Sequence, residues 1–220
     1  MDLSSVEARV IGSLAEKQLT TPQQYPLTIN ALVLACNQSS NRDPVVAYDE
    51  GTVEGALSSL REAGLLRLVH PSHGRSAIRY RQVLDEHFGL DPRSLSILSV
   101  LLLRGPQTTG ELRARTERMA EFDGIEGIEK ELGRLADGDD PLVSRQPRRP
   151  GQKEDRWAET LSGTAYEPSV AAEVTSVPER VHQSPRSDEI ASLRADLETL
   201  QEEVSRIGAT VAELRTALGL

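Results

Sequence analysis

The sequence predicts a mainly helical α+β protein with small β-hairpins: two winged helix-turn-helix domains in tandem, then a linker, then a C-terminal coiled-coil helix. Three observations carry this. One order of signals, helix–helix–helix–strand–turn–strand, occurs twice before residue 163. Aromatic residues make up only 3% of the 220-residue chain, which suits small Leu/Val/Ala cores better than a large sheet. From residue 188 onward, apolar positions recur in unbroken steps of three and four.

The first segment, 1–88, opens on Ser4-Ser5-Val6-Glu7, a capping box in which Ser4 caps the helix and Glu7 reaches back. Val6, Val10, Ile11 and Leu14 then mark one helical face. Thr20, Thr21, Pro22 and Pro26 interrupt it, and a second helix starts near Thr28 and runs through NALVLAC. The turn formers of NQSSNRDP break the chain again. A third helix starts at Asp49, buries Val53, Leu57 and Leu60, and ends at Gly64. Residues 65–70 and 77–83 read as strands around a PSHGRS turn.

The second segment, 89–162, repeats the order. Asp91-Pro92 starts a helix through LSILSVLLLR, and Gly105-Pro106 stops it. Thr108-Thr109-Gly110-Glu111 is a second capping box leading into ELRARTERM. Asp123 to Glu126 is a weaker, Asp-led start for a third helix with Ile125, Ile128, Leu132 and Leu135 on its buried face. Residues 142–147 and 155–161 read as strands joined by the basic tip RRPGQKE.

Residues 163–187, with Pro168, Pro178 and Pro185, show no periodicity and read as a flexible linker. In 188–220 the heptad a positions are Ile190, Leu197, Val204, Val211 and Leu218, and the d positions Leu193, Leu200, Ile207 and Leu214. Mostly β-branched a with mostly Leu d favours a parallel two-stranded coil. So narrow a stripe favours self-association, hence a homodimer, over a helix packed on the chain's own domains, although Gly208 inside it costs about 1 kcal/mol relative to Ala.

Composition bounds the function. One cysteine excludes an internal disulfide and fits a reducing compartment. The start MDLSSVEARV lacks the basic and apolar regions of a signal peptide, and the near-apolar run LSILSVLLL is too short to span a bilayer. A soluble cytoplasmic protein without membrane association is therefore expected. The net charge is −9, and no segment is globally basic, which argues against strong nonspecific DNA affinity but leaves room for a local basic patch.

Several stretches together resemble the YceH family of uncharacterised bacterial proteins: residues 3–45 (LSSVEARVIGSLAEKQLTTPQQYPLTINALVLACNQSSNRDPV), 101–119 (LLLRGPQTTGELRARTERM) and 148–157 (RRPGQKEDRW). The resemblance covers about residues 3–163, more loosely the tail. It implies a tandem winged-helix fold and a cytoplasmic bacterial protein. It implies no activity and supplies no catalytic residues.

The candidate sites follow from residue chemistry. Cys36 sits in the apolar helix LVLACNQ with no base beside it in sequence, so it reads as a small buried hydrophobe. Asn37, Gln38, Asn41 and Arg42 read first as a turn tied to backbone groups, and second as a ligand or partner loop. His70 and His73 lack the further ligands a metal needs, Asp139-Asp140 lacks an opposing acid or base, and no Gly-rich phosphate loop occurs. No enzymatic activity, cofactor or metal is expected. The third helices, which would enter a DNA major groove, are acidic. Basic charge gathers on the hairpins instead. Arg148, Arg149, Lys153 and Arg156, with Arg75 and Arg79, are the candidate phosphate contacts, and Arg113 and Arg115 of the second segment's middle helix join them. Two readings remain: a DNA-associated regulator gripping phosphates through basic wings, or a protein-interaction scaffold using acidic third helices and the coiled coil.

Overall fold

The computed structural model describes residues 2–70, 77–148, 152 and 154–162. The linker and coiled-coil positions, the tip residues Arg75, Arg149 and Lys153, and His73 lie outside them. Helix α1 (Ser5–Thr20) begins as its capping box dictates: the Glu7 N–H donates to Ser4 Oγ at 3.3 Å, and the Ser4 N–H donates to Glu7 Oε2 at 2.7 Å. A 3-10 turn at Pro22–Gln24 leads to α2 (Ile29–Cys36), capped by Thr28. Helix α3 (Glu50–Glu62) starts where the Asp49 carboxylate accepts the Thr52 N–H at 2.8 Å. It ends before Gly64, whose φ of +74° is a left-handed conformation that favours glycine.

Strands β1 (Leu66–Val69) and β2 (Arg79–Gln82) pair antiparallel, with Leu66 opposite Gln82 and Val69 opposite Arg79. A short helix, α4 (Leu84–Phe88), follows and closes at Gly89. The repeat then runs through α5 (Pro92–Arg104), α6 (Thr109–Thr116) and α7 (Gly124–Leu135) to β3 (Val143–Gln146) and β4 (Arg156–Glu159). Here Val143 pairs with Glu159 and Gln146 with Arg156. Among the described residues, mixed helix with two small antiparallel sheets is thus the observed class.

Each hairpin gains a third strand-like partner from the residue before a Thr N-cap. Leu27 exchanges backbone hydrogen bonds with Tyr80 (2.7 and 3.2 Å), and Gln107 does the same with Trp157 (2.7 and 2.9 Å). The same corner is therefore built twice.

The core departs from one expectation. The apolar pattern marks one face on α1, yet every residue from Ala8 to Glu16 is buried. On α5 the buried run extends from Ser94 to Leu103. The reason is mutual: α2 and α3 cover one side of α1, and α5 covers the other. The approach is close enough that a Cβ at Gly12 would sit 2.9 Å from Leu102 Cβ. Residues of both segments belong to one hydrophobic core within the compact unit Met1–Glu167. The unit's ends also meet, where the Leu3 N–H donates to the Leu161 carbonyl at 2.8 Å.

Two local expectations on α7 need correction. Asp123 occupies the N-cap position, but its side chain makes no capping hydrogen bond. Ile125 is 45% exposed rather than buried. The buried face of α7 is Ile128, Glu131, Leu132 and Leu135. Glu131 takes the remaining place on the stripe because its carboxylate is satisfied there by the Ser94 hydroxyl and the Arg134 guanidinium.

Candidate functional site

Three places concentrate polar chemistry, and each is built differently. The first is the turn after α2. Arg42, 4% exposed, donates to the Ala35 carbonyl through Nε and Nη2 (3.1 and 2.9 Å), to the Asn41 carbonyl and to Gln38 Oε1. It also clasps both carboxylate oxygens of Glu16, at 2.6 and 3.2 Å. A second guanidinium, Arg9, is equally buried and donates to the carbonyls of Cys36 (3.4 Å) and Pro44 (2.7 Å). Burial and the nearby Arg42 charge push the Arg9 pKa down. Asn37 clamps the far end of the turn: its amide donates to the Tyr48 carbonyl and its carbonyl accepts the Tyr48 N–H, both at 2.8 Å. Asn41 holds a φ of +57°, which Asn tolerates better than most residues. The Asp43 N–H reaches across to the Leu103 carbonyl of α5 at 3.0 Å. Of the four residues singled out here, Arg42 is sealed inside, Asn37 and Gln38 are half-buried, and Asn41 is exposed.

Cys36 is fully buried in this framework, and burial pushes its thiol pKa up, so it is a protonated thiol rather than a nucleophile. Among the described residues, no group of three His, Cys, Asp or Glu is placed to hold a metal ion, and no helix is long and apolar enough to cross a membrane.

The second place is the pair of hairpins. Arg67 and Arg81 share one carboxylate, Glu86, at 2.9 and 2.6 Å. Arg145 and Arg148 share Asp155 at 2.6 and 3.0 Å, and the Arg148 hydrogen bond, with the Arg145 charge behind it, holds the Asp155 pKa below the usual carboxylate range. Arg79 and Arg156 occupy matching positions: Arg79 donates to the Pro26 carbonyl and Arg156 to the Pro106 carbonyl, both at 2.8 Å. Arg156 also pairs with Glu111 at 2.9 Å. Burial raises the Glu111 pKa, but the Thr108 N–H and Arg156 outweigh it and lower it overall. Charge patterning in the sequence points to the arginines and misses Glu86, which organises two of them from α4.

The third place is the outer surface of α6 and its neighbours. Arg113 is exposed, and Arg115 is half-buried 3.8 Å from Glu111. Elsewhere on the surface, α3 presents Glu50, Glu54 and Glu62, and α7 presents Glu126 and Glu129, to solvent.

Comparison with known proteins adds a family. Residues 3–152 match the family described as "Protein of unknown function, DUF480". The chain is 43% identical over 217 residues to a UPF0502 protein of Geobacter sulfurreducens, covering 97% of each chain. It is 50% identical over 161 residues to one of Geobacter metallireducens, covering 73% of each. It is 45% identical over 218 residues to one of Geotalea uraniireducens, covering 98% of this chain and 94% of the relative. The chain belongs to this DUF480/UPF0502 family.

Proposed function

We propose, taking that membership as the premise, that the chain is a non-enzymatic, cytoplasmic, YceH-type tandem winged-helix protein that associates with DNA through its two hairpins. The repeated corner supports the tandem arrangement: Leu27 with Tyr80 and Gln107 with Trp157, each braced by an arginine on a proline carbonyl. In that arrangement α3 and α7 are the third helices. Their exposed carboxylates repel phosphate, so phosphate binding falls to the wings.

The observation that carries the DNA reading is the ratio of charge on the hairpins. Glu86 serves two guanidiniums and Asp155 serves two, so each shared carboxylate leaves one positive charge over. Arg67, Arg145 and Arg148 remain more than half exposed while so held. Guanidiniums fixed in this way suit backbone phosphates, giving salt-sensitive binding of low sequence specificity. The test is fluorescence anisotropy of a labelled duplex between about 50 and 200 mM salt. The joint change Arg145→Ala, Arg148→Ala, Arg149→Ala should weaken binding and flatten the salt slope by roughly one unit for each phosphate no longer neutralised. Unchanged affinity and slope would refute the wing model.

A protein-interaction scaffold is the second reading, and the exposed carboxylates of α3 favour it, since Glu50, Glu54 and Glu62 ion-pair with no described residue. A pull-down from lysate separates the two readings: partners kept after nuclease treatment support the scaffold, and partners lost support DNA. In either case the heptad positions from Ile190 to Leu218 make the protein a homodimer in this proposal. Sedimentation of the whole protein beside a chain ending at residue 187 decides this, because equal monomeric masses would end it.

A further inference from the structure

Between α1, the turn after α2, α5 and α6 lies a cleft of about 190 Å³. Lys17, Arg104, Arg115 and Arg118 line it, arriving from α1, the end of α5, α6 and the residues just after α6. This convergence is unusual in a chain of net charge −9. The carboxylate in the lining, Glu16, is held by Arg42, whose guanidinium grips both its oxygens, and also lies 3.6 Å from the Lys17 ammonium. Glu111, 3.8 Å from Arg115, and Asp43 offset part of the positive charge but not most of it.

Two of these cations have partners in the protein, Lys17 with Glu16 at 3.6 Å and Gln38 Oε1 at 3.3 Å, and Arg115 with Glu111 at 3.8 Å; the other two are poorly satisfied. Arg104 and Arg118 ion-pair with no described residue. The Nε of Arg104 is buried without a hydrogen-bond partner, which is rare for a buried donor because an unmet one is costly. Arg115 is partly desolvated and close enough to Arg104 that burial, then like charge, lowers its pKa. An arrangement that gathers cations, leaves one buried guanidinium N–H unmet and sets like charges side by side is stabilised by an anion at its centre. Gln38, Ser40 and Asn41 add uncharged hydrogen-bonding groups on one wall, and Val100, Leu103 and Met119 an apolar floor.

We propose that this cleft binds a compact organic di- or trianion, of the phosphomonoester or polycarboxylate class. Size sets the class. A cavity of about 150 Å³ takes a benzene-sized molecule, whereas sites for larger cofactors run from about 300 Å³ upward. One phosphoryl or two to three carboxyl groups on a short carbon chain fill that volume, and anything larger would have to project into solvent through the cleft's open side. No hairpin residue lines the site, and the proposal stands whether or not the hairpins bind DNA. It also gives Gln38 and Asn41 a ligand-facing role that Arg42, sealed behind them, does not share.

The experiment is calorimetric titration at constant ionic strength with inorganic phosphate, glycerol 3-phosphate and citrate as separate probes. Saturable binding of glycerol 3-phosphate or citrate is expected, with Kd of about 1 mM or tighter, and whichever binds assigns the phosphoryl or the carboxylate class. The double change Arg104→Gln, Arg118→Gln should weaken it by about tenfold or more, as for loss of charge-assisted hydrogen bonds. Arg67→Gln, on the first hairpin, should leave it unchanged. If the double variant does not fold by circular dichroism, Arg118→Gln alone, at an exposed position, carries the comparison. Absence of saturable binding by both organic anions up to about 10 mM would overturn the proposal. So would equal binding by wild type and the cleft variant, or equal losses in the cleft and hairpin variants.

Discussion

Alanine at two glycines should act in opposite directions, and the contrast tests the close approach of α1 and α5. Gly12 and Gly55 both sit inside helices, so replacing either with Ala brings the same intrinsic gain of about 1 kcal/mol. Around Gly55 nothing lies within 4 Å of a new Cβ, and the gain should appear as stability. Around Gly12 the new Cβ meets Leu102 Cβ at 2.9 Å and Leu103 Cγ at 3.1 Å. Leu102 Cβ is not the flexible end of a side chain, so it yields only if α5 shifts, and α5 is buried along its length. Overpacking costs about 1–3 kcal/mol, and so short a contact with an atom fixed to the backbone belongs to the upper part of that range, about 2–3 kcal/mol. Set against the propensity gain, Gly12→Ala should be destabilising by about 1–2 kcal/mol. For a unit of this size that lowers Tm by roughly 2–8 °C, whereas Gly55→Ala raises it by roughly 1–4 °C. Thermal unfolding followed by circular dichroism reads both. A neutral or stabilising Gly12→Ala would mean that the two segments do not share the core inferred from the packing of α1 on α5.

Arg42→Met should cost about 3 kcal/mol, because it leaves the buried Glu16 carboxylate with Lys17 at 3.6 Å in place of a two-pronged guanidinium. Adding Glu16→Leu should restore much of that, so urea midpoints showing no recovery in the double variant would remove Glu16–Arg42 as a coupled pair. Cys36 should stay unreactive toward a chromogenic disulfide reagent until the chain unfolds, and prompt stoichiometric reaction of the native protein would contradict its burial. The folded thiol pKa lies above the unfolded value of about 8.5. The stability this burial confers is therefore complete below that pH and lost as pH rises toward the folded value. Cys36→Ala should flatten the alkaline fall in Tm, and an unchanged fall would exclude the thiol as its source.

How much of this is legible in the sequence depends on the range of each interaction. Ser4 with Glu7, Thr108 with Glu111, and Asp49 with Thr52 are three-residue events, and spacing alone places the helices they start. Helix α4 is not visible, because five residues hold barely one period of a helical pattern. The second buried faces of α1 and α5 are not visible either, since Ser13, Gly12, Ser96 and Ser99 are small rather than apolar and do not register as core in a hydrophobic stripe. Arg9 and Arg42 show the sharpest limit. Arginine is rarely fully buried, and Glu16, which makes burial of Arg42 tolerable, lies 26 residues away. Turn chemistry does predict that the residues after α2 bind backbone groups, as Asn37 does, but nothing local shows that their arginine faces inward.

Whether an arginine is committed or available separates structural from functional charge here better than its position in the sequence does. Sequence reasoning draws attention to clustered arginines on the hairpins, where runs of like charge are obvious. The fold supplies most of those with partners: Glu86, Asp155, Glu111 and the carbonyls of two prolines. It leaves two cations without an ion-pair partner among the described residues: Arg118 just past α6, which the run ELRARTERM already marks as basic, and Arg104 at the end of α5, which no run suggests. A guanidinium with a carboxylate must be shared or released before it can hold a new anion, while one without a partner gains the whole interaction. Binding through the hairpins should therefore be weak and screened readily by salt, as expected of exposed, already-paired charge. Binding in the cleft should be tighter per charge and less salt-dependent, because Arg104 is half-buried there with its Nε unmet. The salt dependence of each titration thus identifies which set of arginines is answering.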